Sequence, residues 1–220
     1  MPCRVCHSAS PLFFENGRRF FRCPRCWLIF TDDTPSRDLE EAHYKNQWGL
    51  ASPESWDQKA DLLLNLIRQY LEPRSILDFG SGCGSLARAL ERKGVPTTPL
   101  EPMIHGFLED QNYSAPFDAV VSVEVIEHLP DLWGELRQLE KILSPEGVMV
   151  FSTLLTNPFI QSPQAVEHFK SWWYKDDPTH VSFFCNRSLS ELARLGPYDI
   201  DVFSPNVFVI RPQAAAIPTL

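Results

Sequence analysis

Four cysteines near the N-terminus are spaced like the ligands of a metal ion. They form two Cys-x2-Cys pairs separated by sixteen residues: Cys3, Cys6, Cys23 and Cys26. Each pair makes a tight turn whose two sulfurs converge, and four thiolates complete a tetrahedron around Zn²⁺. A site closed by four protein ligands leaves no position for a reacting group, so the spacing predicts a structural zinc. A redox pair and unliganded thiols remain the alternatives.

A glycine-rich turn carries the second set of residues that could do chemistry. The stretch ILDFGSGCGSL, residues 76–86, places alternate glycines directly behind an aspartate: Asp78, then Gly80, Gly82 and Gly84. Glycine lets a ligand approach the backbone closely. A dinucleotide fingerprint would need glycine where this chain has Ser85. Because a carboxylate at position 78 would repel a pyrophosphate, the turn predicts a ligand with positive charge and no phosphate.

Glu101 extends this argument to the sugar of the ligand. It lies twenty-one residues beyond Gly80, at the end of the next predicted strand. An acidic side chain in that position is suited to accept hydrogen bonds from ribose hydroxyls. A ribose together with a cation, without phosphate, describes S-adenosyl-L-methionine. A tight strand-to-helix connection that binds no ligand is the alternative.

The elements that must position these residues alternate between strand and helix. Strands are predicted at RSILDFG, VPTTPLE, FDAVVSVEVIEHL (a strand running into a helix) and GVMVFSTLL, and helices at WDQKADLLLNLIRQYL, SLARALERKG and LWGELRQLEKIL. This alternation predicts an α/β fold with a parallel, doubly wound sheet. YDIDVF and VFVIRP predict a closing antiparallel hairpin, and PLFFENGRRFFRC predicts another around Asn16-Gly17. A short helix is expected in the polar connector, over residues 39–48.

Four blocks in this order resemble the class I S-adenosylmethionine-dependent methyltransferases over residues 56–211. The blocks are Asp78 with its glycines, Glu101, FDAVVSVEVIEHL and LSPEGVMVFST. The resemblance implies a Rossmann-like seven-stranded sheet whose last strand is antiparallel. It also implies that Asp78 and the glycine turn hold the methionine end of the cofactor, that Glu101 holds the ribose, and that Glu124 contributes to the same site.

One segment departs from the family pattern. The fifteen residues PMIHGFLEDQNYSAP, between Glu101 and Phe117, are too short for the usual helix, strand and adenine-contacting loop. A shortened strand is expected near His105 to Leu108, with residues 108–110 passing the adenine.

A narrower likeness concerns the O-methyltransferases of ubiquinone biosynthesis. It rests on EVIEHLPD, VMVFSTLLTN and DPTHVSFFCNRSLSEL, and it implies a divalent metal such as Mg²⁺ on the Glu-x-x-Glu-His run: Glu124, Glu127 and His128. Alternatively, Glu127 lies in the first turn of a helix and His128 packs. A zinc-binding head in front of such a domain resembles the tailoring methyltransferases that act on sugars or secondary metabolites.

Residues 158–184 are longer than a plain connection and supply the candidates for acceptor binding. Their aromatic side chains either wall an apolar or planar acceptor or pack as a small separate core: Phe159, Phe169, Trp172, Trp173, Tyr174, Phe183 and Phe184. His180 is the candidate general base, because imidazole accepts a proton near neutral pH. Asp177 is the residue predicted to orient it.

Charge divides the chain unevenly and bears on its partners. Residues 1–30, the head, hold five arginines and one glutamate, so their net charge is +4 and the rest of the chain carries −12. The acidic body argues against a nucleic-acid partner. The basic head leaves an RNA or protein methyltransferase as a second hypothesis, beside transfer to a small metabolite, sugar or quinone-like acceptor. A binding protein that retained the fold is the third.

Composition and cysteine use complete the expectations. No run reaches the roughly 18 apolar residues of a membrane span, and MPCRVCHSAS lacks the apolar segment of a signal peptide. A cytoplasmic location follows, in which Cys83 and Cys185 would be free thiols. The predicted organisation is a head (residues 1–30), a connector (31–55), the methyltransferase domain (56–211) and a tail (212–220).

Overall fold

The computed structural model of the protein describes residues 1–36, 38–40, 42 and 52–213. Its ten strands are β1 (Leu12–Asn16), β2 (Arg18–Arg22), β3 (Ile29–Thr31), β4 (Ile76–Phe79), β5 (Thr97–Leu100), β6 (Phe117–Val123), β7 (Leu143–Ser152), β8 (Ser182–Phe183), β9 (Tyr198–Ser204) and β10 (Val207–Pro212). The helix predicted over residues 39–48 lies largely outside the described residues. No helix in the described ranges is long and apolar enough to cross a membrane.

Between residues 52 and 213, helices connect and cover the strands. They are α1 (Pro53–Ile67), α2 (Ser85–Arg92), α3 (Pro102–His105), α4 (Leu132–Lys141), α5 (Ala165–Ser171) and α6 (Asn186–Leu195). Helix α1 begins before the apolar pattern that predicts it, because Ser52 caps it by accepting a hydrogen bond from the Ser55 amide and proline occupies its first turn. Short 3-10 turns lie at Leu108–Asp110, Ile126–His128 and Trp173–Asp176.

The larger sheet has the strand order β5-β4-β6-β7-β10-β9. Strands β4 to β7 run parallel to one another, and β10 is antiparallel to both β7 and β9. Alternate side chains of β4, β6, β7 and β10 enter two different cores. One core contains α1 and α2, and the other contains α4, α6 and apolar residues of the head. The predicted doubly wound sheet with an antiparallel last strand is confirmed.

The number of strands corrects one expectation. The larger sheet has six strands in the described residues rather than seven, and β5 is one of its two edge strands. Residues 102–116 form α3 and a 3-10 turn, and the strand expected near His105 to Leu108 does not form. Fifteen residues are too few for a crossover helix followed by another parallel strand, which needs a dozen or more residues before the strand itself.

The head forms a second sheet together with the segment 158–184. The strands β1, β2, β3 and β8 are antiparallel in that order, with Ile29 of the head opposite Phe183. The predicted hairpin turns at Gly17, where φ is 71°. The Phe20 ring of the head lies 5.0 Å from the Phe169 ring. The aromatic residues of 158–184 therefore pack largely as a shared core with the head, although Trp173 remains 69% exposed.

Candidate active site and metal centre

The glycine turn connects β4 to α2 at the carboxyl edge of the sheet. All three predicted glycines have positive φ, at 74°, 52° and 74° in chain order, a region that side chains rarely adopt. At Gly80 the close approach is made by the protein itself, because a Cβ there would lie 2.4 Å from a methyl carbon of Val125. The turn after β6 therefore packs directly against the glycine turn.

Asp78 lies beneath this turn as a buried carboxylate. Its side chain is 2% exposed, and Oδ2 accepts a hydrogen bond from the Ala87 amide in the first turn of α2 at 3.1 Å. Burial, with a smaller contribution from the charge of Glu101, raises the pKa of Asp78 to about 7. A cationic ligand group nearby would favour its ionised form.

Glu101 follows β5 and contacts the same turn. Its Oε2 accepts a hydrogen bond from the Gly82 amide at 3.0 Å, and Oε1 accepts one from the Met103 amide at 3.4 Å. Burial raises the pKa of Glu101 as well. The structure thus brings together Asp78, the glycine turn and Glu101, the set that the sequence predicts for the cofactor.

Two glutamates after β6 share one tyrosine. The Tyr174 hydroxyl lies 2.8 Å from Glu124 Oε2 and also contacts Glu127 Oε1, while Ser152 Oγ donates to Glu124 at 3.1 Å. The Tyr174 hydroxyl has one proton and can donate it to only one of the two carboxylates at a time. The arrangement therefore favours a further proton that the two glutamates share. Complete burial and the Glu124 charge raise the pKa of Glu127 to about 8. Glu124 itself has a strained φ of 55°.

His180 lies against this pair with a defined ring orientation. Its Nδ1 is 2.7 Å from the Tyr174 carbonyl oxygen, and because a carbonyl only accepts, Nδ1 carries a proton. Neutral His180 therefore keeps its basic lone pair on Nε2, which lies 3.9 Å from Glu127 Oε1. Asp177, predicted to orient the ring, lies instead 3.7 Å from Nε2, beyond hydrogen-bond distance. The Tyr174 carbonyl is the group that accepts the hydrogen bond from the ring.

The predicted divalent-metal ligands are only partly brought together. Ligand atoms of Glu127, His128 and His180 lie within 4.8 Å of one another, and Glu124 is not in this group. Two imidazoles and a carboxylate differ from the oxygen ligands and waters that Mg²⁺ prefers. The geometry therefore gives the Mg²⁺ prediction no support.

The four head cysteines converge as their spacing predicts. Sγ of Cys3 is 3.4 Å from that of Cys26, and Sγ of Cys6 is 3.4 Å from that of Cys23. All four sulfurs lie within 4.8 Å of one another. A tetrahedron with Zn–S bonds of about 2.3 Å has sulfurs roughly 3.8 Å apart, so the site fits Zn²⁺. Cys83 and Cys185 lie outside the cluster.

The arginines of the head contact other parts of the protein. Arg4 donates to the Pro130 carbonyl, Arg22 to the Ile160 carbonyl, Arg25 pairs with Glu191, Arg19 pairs with Asp32, and Arg18 binds carbonyls of residues 175–180. Four of the five therefore attach the head to the body. The arginines whose positive charge suggested a nucleic-acid contact are therefore bound to carbonyls and carboxylates of the same chain.

Two residues of this region were missed by sequence reasoning. Tyr174 was only one aromatic among seven, and Arg18 was counted only as charge. Neither lies in a recognisable motif, because the partners of Tyr174 are 47 and 50 residues away and those of Arg18 are up to 162 residues away. The only available signal was an arginine on the strand that follows a predicted hairpin turn.

Comparison with known proteins decides the family. Residues 56–195 match a family model described as "Methyltransferase domain". The chain belongs to this family. The match begins in α1 and ends with α6, and it includes the glycine turn, Glu101 and the cluster around Glu127.

Curated relatives of this methyltransferase-domain chain include ubiquinone biosynthesis O-methyltransferases. The one from Alkalilimnicola ehrlichii is 27% identical over 161 residues, covering 57% of this chain and 64% of the relative. The one from Idiomarina loihiensis is 29% identical over 147 residues, covering 56% and 59%. The chain spans less than two thirds of the length of these relatives.

Solved structures share the fold at low identity. The 1,6-didemethyltoxoflavin-N1-methyltransferase of Burkholderia thailandensis, solved with 1,6-didemethyltoxoflavin and S-adenosylhomocysteine, has a TM-score of 0.56 and 16% identity over 93% of this chain and all of its own. DesVI of Streptomyces venezuelae has a TM-score of 0.55 and 14% identity, covering 82% of this chain and 99% of its own. At these identities the likeness concerns the fold.

Proposed function

We propose that the protein is an S-adenosylmethionine-dependent methyltransferase acting on a small-molecule acceptor. The observation that carries this proposal is that Asp78, three glycines with positive φ and Glu101 lie together at the carboxyl edge of the larger sheet. This edge belongs to the part of the chain that matches the methyltransferase family. Bound S-adenosylmethionine would supply the methyl group, made electrophilic by the sulfonium.

The chain's own residues would hold the cofactor and exclude water. Asp78 and the glycine turn would bind the methionine end, and Glu101 would bind the ribose hydroxyls. Glu124 follows β6 at the same edge, and its strained backbone supports a role there. Alignment in a desolvated site is the main contribution such a protein makes to a transfer reaction.

His180 would act as general base toward a hydroxyl acceptor. Its Nδ1 is tied to the Tyr174 carbonyl, so Nε2 is the nitrogen that takes the proton. The name shared by the curated relatives, ubiquinone biosynthesis O-methyltransferase, supports oxygen as the atom methylated. A phenolic or quinone-like acceptor is the class that we infer. The four cysteines of the head would hold a structural Zn²⁺, and a cytoplasmic location stays a prediction.

The alternative acceptors have less support. An RNA or protein substrate gripped by the head would need free basic side chains, whereas the head arginines bind the body or neighbouring acids. A protein that only retains the fold would have no need for paired carboxylates at the glycine turn, since each loses hydration on burial.

Calorimetry with S-adenosylmethionine and S-adenosylhomocysteine tests the cofactor site. We expect both to bind, and Glu101→Gln to weaken S-adenosylhomocysteine by about tenfold, or about 1.4 kcal/mol, through loss of a charged hydrogen-bond acceptor. Glu146→Gln, an exposed position on β7, is the matched control. Methyl transfer to a panel of catechols and phenols, followed by mass spectrometry, then tests the acceptor class. Absence of binding to both compounds would leave only the binding-protein hypothesis.

A further inference from the structure

One arginine of the head binds the segment that carries His180. Arg18 donates from Nη1 to the carbonyls of Asp177 at 2.7 Å and Lys175 at 3.3 Å, and from Nη2 to the carbonyl of His180 at 2.7 Å. Its Nε donates to Asp33 Oδ2 at 2.7 Å. A single guanidinium thus fixes three backbone carbonyls within six residues of chain.

The same segment is held from its other side by the body. The Val181 amide donates to the Glu127 carbonyl at 2.8 Å, and the Thr31 amide, at the end of β3 and next to the head, donates to the Val181 carbonyl at 3.1 Å. Residues 175–181 therefore lie between the head and the turn after β6. The His180 ring, bound to the Tyr174 carbonyl, faces Glu127 within this arrangement.

We propose that Arg18 is a positioning residue that sets the ring orientation of His180, so that the head takes part in methyl transfer without contacting the reactants. This rests on the proposed role of His180 as general base. The carbonyls of residues 175, 177 and 180 converge on one point, and a planar fork with several N–H donors matches them. The ammonium of lysine is a point charge and does not reproduce that fork.

The contacts of Arg18 support a role in positioning His180 rather than one that only attaches the head to the body. Arg4, Arg22 and Arg25 also attach the head to the body, but each contacts sites outside residues 175–180. Arg18 alone among the head arginines contacts the backbone of His180 in the described contacts. Its side chain is 20% exposed, so these hydrogen bonds are partly shielded from water.

Nuclear magnetic resonance of ¹⁵N-histidine-labelled protein tests the proposal without an acceptor. The zinc-loaded protein is saturated with S-adenosylhomocysteine, and the His180 signals are assigned from a His180→Gln variant. We expect wild type to show His180 as the Nδ1-protonated tautomer. Arg18→Lys should give a mixture of tautomers or exchange-broadened signals, because the loop carbonyls lose their common donor. The matched control is Arg19→Lys, on the same strand but 58% exposed and paired with Asp32; it should leave the spectrum unchanged.

A double-mutant cycle extends the test to catalysis, with a catechol or phenol that the protein methylates in the panel as the acceptor. Arg18→Lys should lower kcat by about 10- to 100-fold, as expected for a displaced catalytic group, with KM and S-adenosylhomocysteine affinity nearly unchanged. In a His180→Ala background the same change should cost nothing further, because both act through one group. Millimolar guanidinium should partly restore Arg18→Ala but not His180→Ala.

Each outcome is decisive. An unchanged His180 tautomer in Arg18→Lys, with zinc content and melting temperature retained, overturns the proposal. Additive losses in the cycle overturn it as well, since Arg18 would then act elsewhere. If no acceptor is methylated, the proposed function fails while the tautomer measurement still decides whether Arg18 positions the ring.

Discussion

The glycine turn adjoins the turn after β6, against which Tyr174 and His180 lie, but the contacts of the two regions differ in sequence separation. Asp78 binds an amide nine residues away, and Glu101 binds one nineteen residues away. Tyr174 meets Glu127 across 47 residues, and Arg18 meets His180 across 162. The proposed cofactor side, residues 78–101, is thus built by one local supersecondary unit, whereas the proposed base side, Glu127, Tyr174 and His180 with Arg18, is assembled from distant parts of the chain.

This difference implies that the two sides can fail separately. The cofactor side depends on backbone conformations within residues 78–101, and the base side depends on a head that has little apolar core of its own. The head contributes Cys3, Val5, Leu28 and Phe30 to a core completed by the body. Three experiments separate the two sides, from the largest expected effect to the smallest.

Removal of zinc should disrupt the base side and spare the cofactor side. Structural Zn²⁺ contributes about 10 kcal/mol or more to the folding of small zinc modules, so a strong chelator should unfold the head, seen as loss of near-ultraviolet circular dichroism. S-adenosylhomocysteine affinity should change by less than about threefold, or about 0.6 kcal/mol. Calorimetry on chelated protein measures this.

Cysteine variants provide the control for chelation. Cys26→Ser should reproduce the loss of zinc and of head structure, because it removes one of four ligands. Cys83→Ser, at an exposed thiol outside the cluster, should bind zinc normally. A fall in S-adenosylhomocysteine affinity that parallels zinc loss would contradict the separation of the two sides.

Gly80→Ala should disrupt the cofactor side and spare the head, the opposite of zinc removal. A left-handed φ costs an alanine about 1–2 kcal/mol, and the contact of the new Cβ with Val125 adds about 1–3 kcal/mol. We expect the free energy of unfolding to fall by about 2–5 kcal/mol and S-adenosylhomocysteine affinity to fall about tenfold or more. Urea denaturation and calorimetry measure the two quantities, and zinc content should be unchanged.

Gly94→Ala isolates the backbone contribution. Gly94 has φ of 86° with open space around its Cβ position, so its substitution should cost only the left-handed strain and leave ligand affinity intact. Equal losses in the two alanine variants would show that the contact with Val125 has no role.

The smallest effect concerns the pH dependence of the cofactor side. Because the pKa of Asp78 is raised to about 7, the folded ligand-free protein binds a proton that the unfolded chain releases near pH 4. Stability should therefore fall as pH rises from about 4 to about 7. The affinity for S-adenosylhomocysteine, whose ammonium favours ionised Asp78, should rise by up to about tenfold between about pH 6 and about pH 8.

Asp78→Asn should abolish this dependence, whereas Asp110→Asn, at an exposed position, should retain it. Calorimetry across the pH range measures both variants. A pH-independent affinity in wild type would show that the Asp78 charge does not contact the ligand's cation, and would withdraw the electrostatic argument for this cofactor.

The sequence was sufficient to predict the fold class, the convergence of the four head cysteines, and the convergence of Asp78, the glycine turn and Glu101. In each case the signal is carried by short spacings, such as Cys-x2-Cys and the alternate glycines after Asp78. It was insufficient for the strand count. The seventh strand was expected because the family has one, but residues 102–116 are too few to form both a crossover helix and a strand. The resemblance predicted metal ligands at Glu124, Glu127 and His128, whereas the ligand atoms that converge in the described residues belong to Glu127, His128 and His180.

What the sequence determined by itself is local: which residues can turn with positive φ, which pairs of thiols can converge, and which strand ends carry acids. Only the tertiary structure decided that the Tyr174 carbonyl, rather than Asp177, binds the ring of His180, and that Arg18 holds its backbone. The physical reason is that such contacts depend on the packing of elements far apart in the chain, and side-chain types alone do not specify which distant carbonyl a donor will meet.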